Sequence, residues 1–298
     1  MDLFIDRLIL GLQEGAIYAS LALALVIIYR SSGLLNFAQG EMALFSGFLT
    51  WWLASTDEGL GLPVGLAILL SVAISFVGGA LIERLLIRPV SGGPNPLPVV
   101  IVTIGLFLGL NALAGYLWGT DGKALEPVFG AEQIEVGPVT ISRMTIGILV
   151  VLAVEVLLLW ALFQKTKLGL GIRGVASNRE SSALVGVPVN RMLMIGWGLA
   201  AALGAVAGSL YFSTVSFDTT SMQLVLIYAF AAATLGGFDS PVGAVVGGLI
   251  VGEVSVMASG YIGWIGGELR LMPAFILILG VLLIRPQGLF GKAQVSRV

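Results

Sequence analysis

Cysteine and histidine are both absent from this 298-residue chain. Without them there are no disulfides, thiol nucleophiles or haem-ligating histidines, and the usual zinc ligand sets cannot form. No metal or cofactor site is expected, and little room is left for catalysis by a metal or an imidazole base. The sequence also lacks a Gly-x-x-x-x-Gly-Lys-Ser/Thr phosphate loop and a Gly-x-Ser-x-Gly nucleophile elbow, so the chain is expected not to be an enzyme. Charge is scarce as well: 11% of residues are charged, against roughly 25% in ordinary soluble domains.

What is present is apolar sequence, 57% of the chain. A helix rises ~1.5 Å per residue, so roughly 20 apolar residues cross the hydrocarbon core. Candidate spans run over 8–29, 34–54, 62–82, 97–118, 144–163, 192–215, 223–235, 241–257 and 269–284. The second, seventh and eighth are short, broken or polar at one end. The head before residue 8 leads into the first span with no small-residue cleavage site, as in a retained span. The expected fold class is all-α: a polytopic transmembrane helical bundle of about 8–10 spans, some broken or re-entrant. The whole of 1–298 is expected to form one transmembrane domain, with a long loop at 164–191.

Orientation follows from Lys and Arg in the connections. If 164–191 is cytoplasmic, alternation of nine spans places Arg30, Arg84, Arg88, Lys165, Lys167, Arg173, Arg179, Arg191, Arg285, Lys292 and Arg297 inside. Only Arg7, Lys123, Arg143 and Arg270 are left outside. Eleven against four predicts an outer N-terminus and a cytoplasmic C-terminus.

Helix association inside a bilayer relies on close packing at small residues. Gly105 with Gly109, Gly204 with Gly208, Gly243 with Gly247 and Gly248 with Gly252 have the four-residue spacing such contacts use. Taken together they predict a compact bundle.

In the 164–191 loop, "RGVASNRESSALVGVPVNRM" places Ser177 three residues before Glu180, the spacing of a capping box that starts a helix. Gly186 and Pro188 would end it after about two turns. Ala183, Leu184 and Val187 fall on one face, flanked by Arg173 and Arg179. Such a short amphipathic helix is either a docking element or a connector lying on the headgroups.

That loop resembles the coupling loop of ABC importer permeases, in which an alanine and a later glycine mark the helix that fits a cleft of the ATPase. "GLLNFAQGEMALFSGFL", "AAATLGGFDSPVGAVVGGLIVG" and "LLIRPQGLFG" are similar, in order, to motifs of the branched-chain amino acid permease family. Where that family usually carries a histidine, Gln39 stands here, so a hydrogen-bonding role survives and a titrating one does not. The resemblance implies a permease subunit of an ABC importer in a bacterial or archaeal plasma membrane. Its implied partners are cytoplasmic ABC ATPase subunits, a second permease subunit (identical or related), an extracytoplasmic substrate-binding protein and membrane lipid, with no nucleic acid. It implies branched-chain or related small amino acids as cargo, with urea or short amides as the alternative. An ion-coupled secondary transporter or channel would account for intramembrane polar residues, but not for a docking helix.

Asn36, Gln39 and Glu41 lie in the first of these motifs, in the second span. A Glu at membrane depth costs ~2.5–3.5 kcal/mol on insertion scales, so Glu41 is expected to be paired, protonated or wetted. The three residues either flank a translocation path in a broken helix or clamp neighbouring helices. A weak internal echo lays Phe37, Ala43, Leu44 and Gly47 over Phe238, Ala244, Val245 and Gly248, the pattern of paired interrupted helices. Glu14, Glu155 and Glu253 have no partners evident in the sequence.

Overall fold

The computed structural model describes residues 2–291 apart from 94, 137–138 and 266, so Lys292 and Arg297 of the charge count lie outside the described residues. The helices are α1 Asp2–Ser32, α2 Gln39–Ala54, α3 Val64–Ile82, α4 Leu97–Trp118, α5 Arg143–Lys165, α6 Lys167–Ser177, α7 Arg179–Leu184, α8 Val189–Phe212, α9 Ser221–Gly236, α10 Pro241–Tyr261 and α11 Met272–Ile284. Among the described residues six spans are long and apolar enough to cross a membrane, on α1, α3, α4, α5, α8 and α10. The others in the bundle, α2, α9 and α11, have 16, 16 and 13 residues. The eighth expected span, 241–257, is among those read as short, broken or polar at one end; α10 is continuous over 21 residues and polar at its start, where Ser240 Oγ accepts the Gly243 N–H at 3.0 Å. Among the described residues the strand structure is a hairpin, β1 Gln133–Val136 paired antiparallel with β2 Val139–Ser142, in the α4–α5 connection, and an isolated bridge between Lys123 and Phe217.

α1 is the axis of the bundle. From Ala16 to Ile28 no residue is more than 4% exposed, as expected of a helix apolar on every side. It packs on α10, α8, α9 and α5. The seam with α10 is glycine-lined: a Cβ at Gly248 would lie 2.6 Å from Ala19 Cα, and one at Gly15 would lie 2.9 Å from Leu249 Cα. Gly252 meets Gly11 and Gly15 in the same seam. Gly243 and Gly247 press α10 on Gly236 and Ala232 of α9, and Gly208 presses α8 on the Ala43 carbonyl of α2. Here van der Waals contact of backbones, not exclusion from water, holds helices together. Gly105 and Gly109 behave otherwise. Nothing stands within 4 Å of a Cβ at either, because α4 turns that face outward with Ile101 and Leu108, 67% and 63% exposed.

The connections sort to two ends. Arg88 reaches the Asn190 carbonyl at 3.3 Å, and the Leu289 and Phe290 N–H groups donate to Leu235 and Gly236 at 2.8 and 3.0 Å. At the opposite end Lys123 pairs with Glu58 at 2.8 Å and bonds with Phe217 through both backbone groups.

Candidate functional site

Between α1 and α2 the chain leaves the helix. Gly33 takes φ +72°, a left-handed conformation that ends α1 at low cost for glycine. Asn36 Oδ1 then accepts the Ala38 N–H at 3.0 Å, a local turn that carries the chain into α2. A 16-residue helix rises only ~24 Å, so residues 33–38 make up the rest of the crossing. The second span is therefore broken rather than re-entrant: α2 runs to Ala54 and is followed by Ser55 and Glu58 at the end of the bundle that holds Lys123.

Asn36, Gln39 and Glu41 are all sealed, at 1%, 0% and 1% exposure. Asn36 Nδ2 donates to Gln39 Oε1 at 3.1 Å, and Gln39 Nε2 donates to the Ala200 carbonyl of α8 at 3.0 Å. The contact with Ala200 is possible because Gly204 leaves room; a Cβ there would lie 2.7 Å from Gln39 Nε2. Glu41 turns to α4. Asn111 Nδ2 donates to Glu41 Oε2 at 3.0 Å and to the Thr219 carbonyl at 2.7 Å, while Glu41 Oε1 is buried without a partner among the described residues. The three residues thus tie α2 to α8 and α4 and do not meet at one point. Below them Ser46 bonds Ser75 at 2.7 Å, Ser71 donates to the Ser46 carbonyl at 2.8 Å, and Thr50 bonds Ser209 at 2.8 Å. A cavity of about 180 Å³ opens beside α2, walled by Met42, Phe45, Ser75, Gly79 and Ala201, and none of the three side chains lines it.

Asn111 was not anticipated from the sequence, although a lone amide within an apolar span is a signal of an interior polar contact. The echoed segments do share an end of the bundle: Phe37 lies 5.8 Å from Phe230, which lies 6.5 Å from Phe238.

The 164–191 loop holds two helices, α6 and α7. Ser177 is not the cap that its spacing suggested. α6 runs helically through it, and the chain first extends at Asn178 (φ −158°, ψ 113°), whose side chain caps α7 by accepting the Ser181 N–H at 2.8 Å. Glu180 is exposed and makes no box with Ser177. Gly186, at φ +85°, ends α7. Ala183 is exposed, with Leu184 and Val185 at 88% and 79%, while Val187 turns inward and Ser182 is buried. The loop therefore presents an apolar tip. Two arginines anchor its base: Arg173 is half-buried, 3.4 Å from Gln164 Oε1, and Arg179 donates to the Ser32 carbonyl.

A further ion pair joins this end. Glu83, 1% exposed, meets Arg88 at 2.6 Å. Five-residue spacing does not align side chains on an α-helix; here α3 continues into a π turn, Glu83–Ile87, in which the Arg88 N–H bonds the Glu83 carbonyl. The other acids also have surroundings: Glu14 pairs with Arg270, Glu155 accepts from Ser20 Oγ at 3.0 Å, and Glu253 packs on Gly11.

Among known proteins, the family described as "Branched-chain amino acid transport system / permease component" matches residues 7–284. The high-affinity branched-chain amino acid transport system permease protein LivH of Escherichia coli is 28% identical, over 99% of this chain and 98% of its own. BraD of Pseudomonas aeruginosa, of the same description, is 29% identical over 99% and 98%. The fructose import permease protein FruF of Bifidobacterium longum is 24% identical over 83% of this chain and 68% of its own.

Proposed function

Because the chain belongs to the branched-chain amino acid transport permease family, we propose that it is the membrane-spanning subunit of an ATP-driven importer of branched-chain or closely related amino acids. It works beside a second permease subunit, receives cargo from an extracytoplasmic binding protein and is driven by separate cytoplasmic ATPases. In this arrangement it is a multi-pass protein of the plasma membrane, with the 164–191 loop inside, the N-terminus outside and the C-terminus inside, as the Lys and Arg distribution favours.

The observation that carries the mechanism is the contact between Arg179 and the Ser32 carbonyl. The exposed tip Ala183–Gly186 docks in the ATPase, and Arg179 at the base of the same helix grips the last residue of α1. Immediately beyond lie the left-handed Gly33 and the non-helical segment that leads to Asn36 and Gln39. Closure of the ATPases on nucleotide displaces α7, and the displacement reaches residues 34–38, whose N–H groups make no helical hydrogen bond among the described residues. The α2 contacts with Ala200 and Asn111 are then exchanged, and the packed region opens as a path to one side. The bistable element is residues 33–38, and the ligand that biases it is the ATPase dimer.

The test is reconstitution with the co-encoded ATPase and binding protein in liposomes. Uptake of leucine, isoleucine or valine that requires both ATP and the binding protein is the expected result. Uptake driven by an ion gradient without ATP would overturn the importer mechanism, and exclusive uptake of urea or short amides would overturn the cargo.

A further inference from the structure

We propose that a groove at the outer end of the bundle, lined by Arg270 and bordered by its partly open ion-pair partner Glu14, is a loading site for an α-amino-acid zwitterion with an aliphatic side chain. The proposal rests on the importer function above and names the place where this chain itself would read its cargo.

The groove has a volume of about 330 Å³ and is walled by Tyr18 of α1, Tyr211 of α8, Leu224, Val225 and Tyr228 of α9, and Arg270 and Leu271 just before α11. Small-ligand sites begin at about 300 Å³. Arg270 Nη2 lies 2.6 Å from both Glu14 oxygens, and the two side chains keep 43% and 21% of their surface open. A pair closed on itself would satisfy more of its groups. This guanidinium spends one nitrogen, Nη2, on the carboxylate; its Nε is buried without a partner among the described residues, so the donors left for a second carboxylate are those at the open end of the guanidinium, which can still meet it in the planar manner arginine favours.

The acid is also held for use. Tyr18 Oη donates to Glu14 Oε2 at 2.9 Å, and Tyr228 Oη donates to the Arg270 carbonyl at 3.0 Å. The two rings stack at 4.6 Å, fixing both phenols. A cation and an anion side by side complement a molecule whose carboxylate and ammonium are one carbon apart, while Leu224, Val225 and Leu271 provide an apolar wall for its side chain. Glu14 stands sixteen residues before Arg30, about 24 Å along α1, which puts the groove near the outer interface, where a binding protein would release cargo. An amine or an acid alone would engage only one of the two charges.

The experiment uses the permease–ATPase complex in nanodiscs without the binding protein, with saturation-transfer NMR of leucine, 4-methylpentanoate and isopentylamine. Leucine binding is expected to weaken by about tenfold or more in both Arg270→Gln and Glu14→Gln, the loss of one charge-assisted contact. The acid analogue should lose binding only in Arg270→Gln, and the amine only in Glu14→Gln. The charge-swapped double variant, Glu14→Arg with Arg270→Glu, should regain the thermal stability lost by the single variants without regaining leucine binding, which a purely structural ion pair would not predict. Absence of leucine binding in the unaltered complex, or equal binding in all variants, overturns the site. Binding-protein-dependent leucine uptake by that same unaltered complex shows separately whether the importer function stands.

Discussion

Arg179, the first residue of α7, donates through its guanidinium to the main-chain carbonyl of Ser32, the last residue of α1, although 147 positions separate them. An exposed loop helix and the deepest helix of the bundle are thereby joined at one atom. The bond comes from a charged donor, the stronger kind, and its acceptor is backbone, so it reports the position of α1 and not of a mobile side chain.

Arg179→Glu replaces that donor by an acceptor facing a carbonyl. Uptake per ATP hydrolysed should fall about tenfold, the loss of ~1.4 kcal/mol of coupling, while insertion and ATPase binding persist. Arg179→Lys should fall between, since a single ammonium can still reach the carbonyl. Parallel measurement of phosphate release and leucine uptake in liposomes decides it; unchanged stoichiometry in the Glu variant would remove α7 from the coupling path.

Gln39→Ala deletes the donor to Ala200 and leaves the Asn36 amide only the weak acceptor of the Met42 sulfur. An unsatisfied buried group costs ~1–3 kcal/mol. Uptake should drop severalfold while the ATPase subunits still copurify, and full uptake would leave Gln39 as a helix clamp and nothing more.

Gly248→Leu would drive a side chain into Ala19 and should destabilise the bundle by ~1–3 kcal/mol or prevent its assembly. Gly105→Ala should be neutral or add ~0.5–1 kcal/mol, because the new methyl meets nothing and the helix loses a flexible residue. Thermal unfolding of the two variants in one detergent compares them directly, and equal effects would contradict the assigned faces.

Asp218 lies in the connection between α8 and α9. Its Oδ1 accepts the Thr220 hydroxyl at 2.7 Å, the Thr220 N–H at 2.8 Å and the Ser221 hydroxyl at 3.0 Å. These bonds, that of the Thr220 hydroxyl foremost, hold the carboxyl below its ordinary value. A depressed value in the folded state means that the stabilisation is complete above the unfolded pKa of ~3.9 and fades as pH falls through the folded value. The thermal midpoint of the wild type should therefore lose its margin over Asp218→Asn only below about pH 4. A margin constant with pH would contradict this.

Much of the architecture was legible because it follows from local composition. The span at 97–118 and α4, Leu97–Trp118, coincide, since apolar length bounded by Pro and Gly needs no tertiary information. The break before α2 was legible from its polar residues. The partners of those residues were not: Asn111 is 70 positions from Glu41, and only the packing of α2 against α4 brings them together. Gly105 and Gly204 sit in similar local patterns, yet one faces open space and the other Gln39; spacing fixes which residues share a stripe, not what the stripe meets. Ser177 failed as a cap for a comparable reason, because α6 extends through it and the next side chain, Asn178, is the first in extended backbone.

The glycine seam of α1 with α10 also constrains biogenesis. α1 leaves the ribosome well before α10, since the surface that fits its Gly11, Gly15 and Ala19 is carried by Gly248 and Gly252, more than two hundred residues later in synthesis. Until then the translocation machinery or another occupant must cover that seam, and α10 acts as the keystone that locks α1 in place.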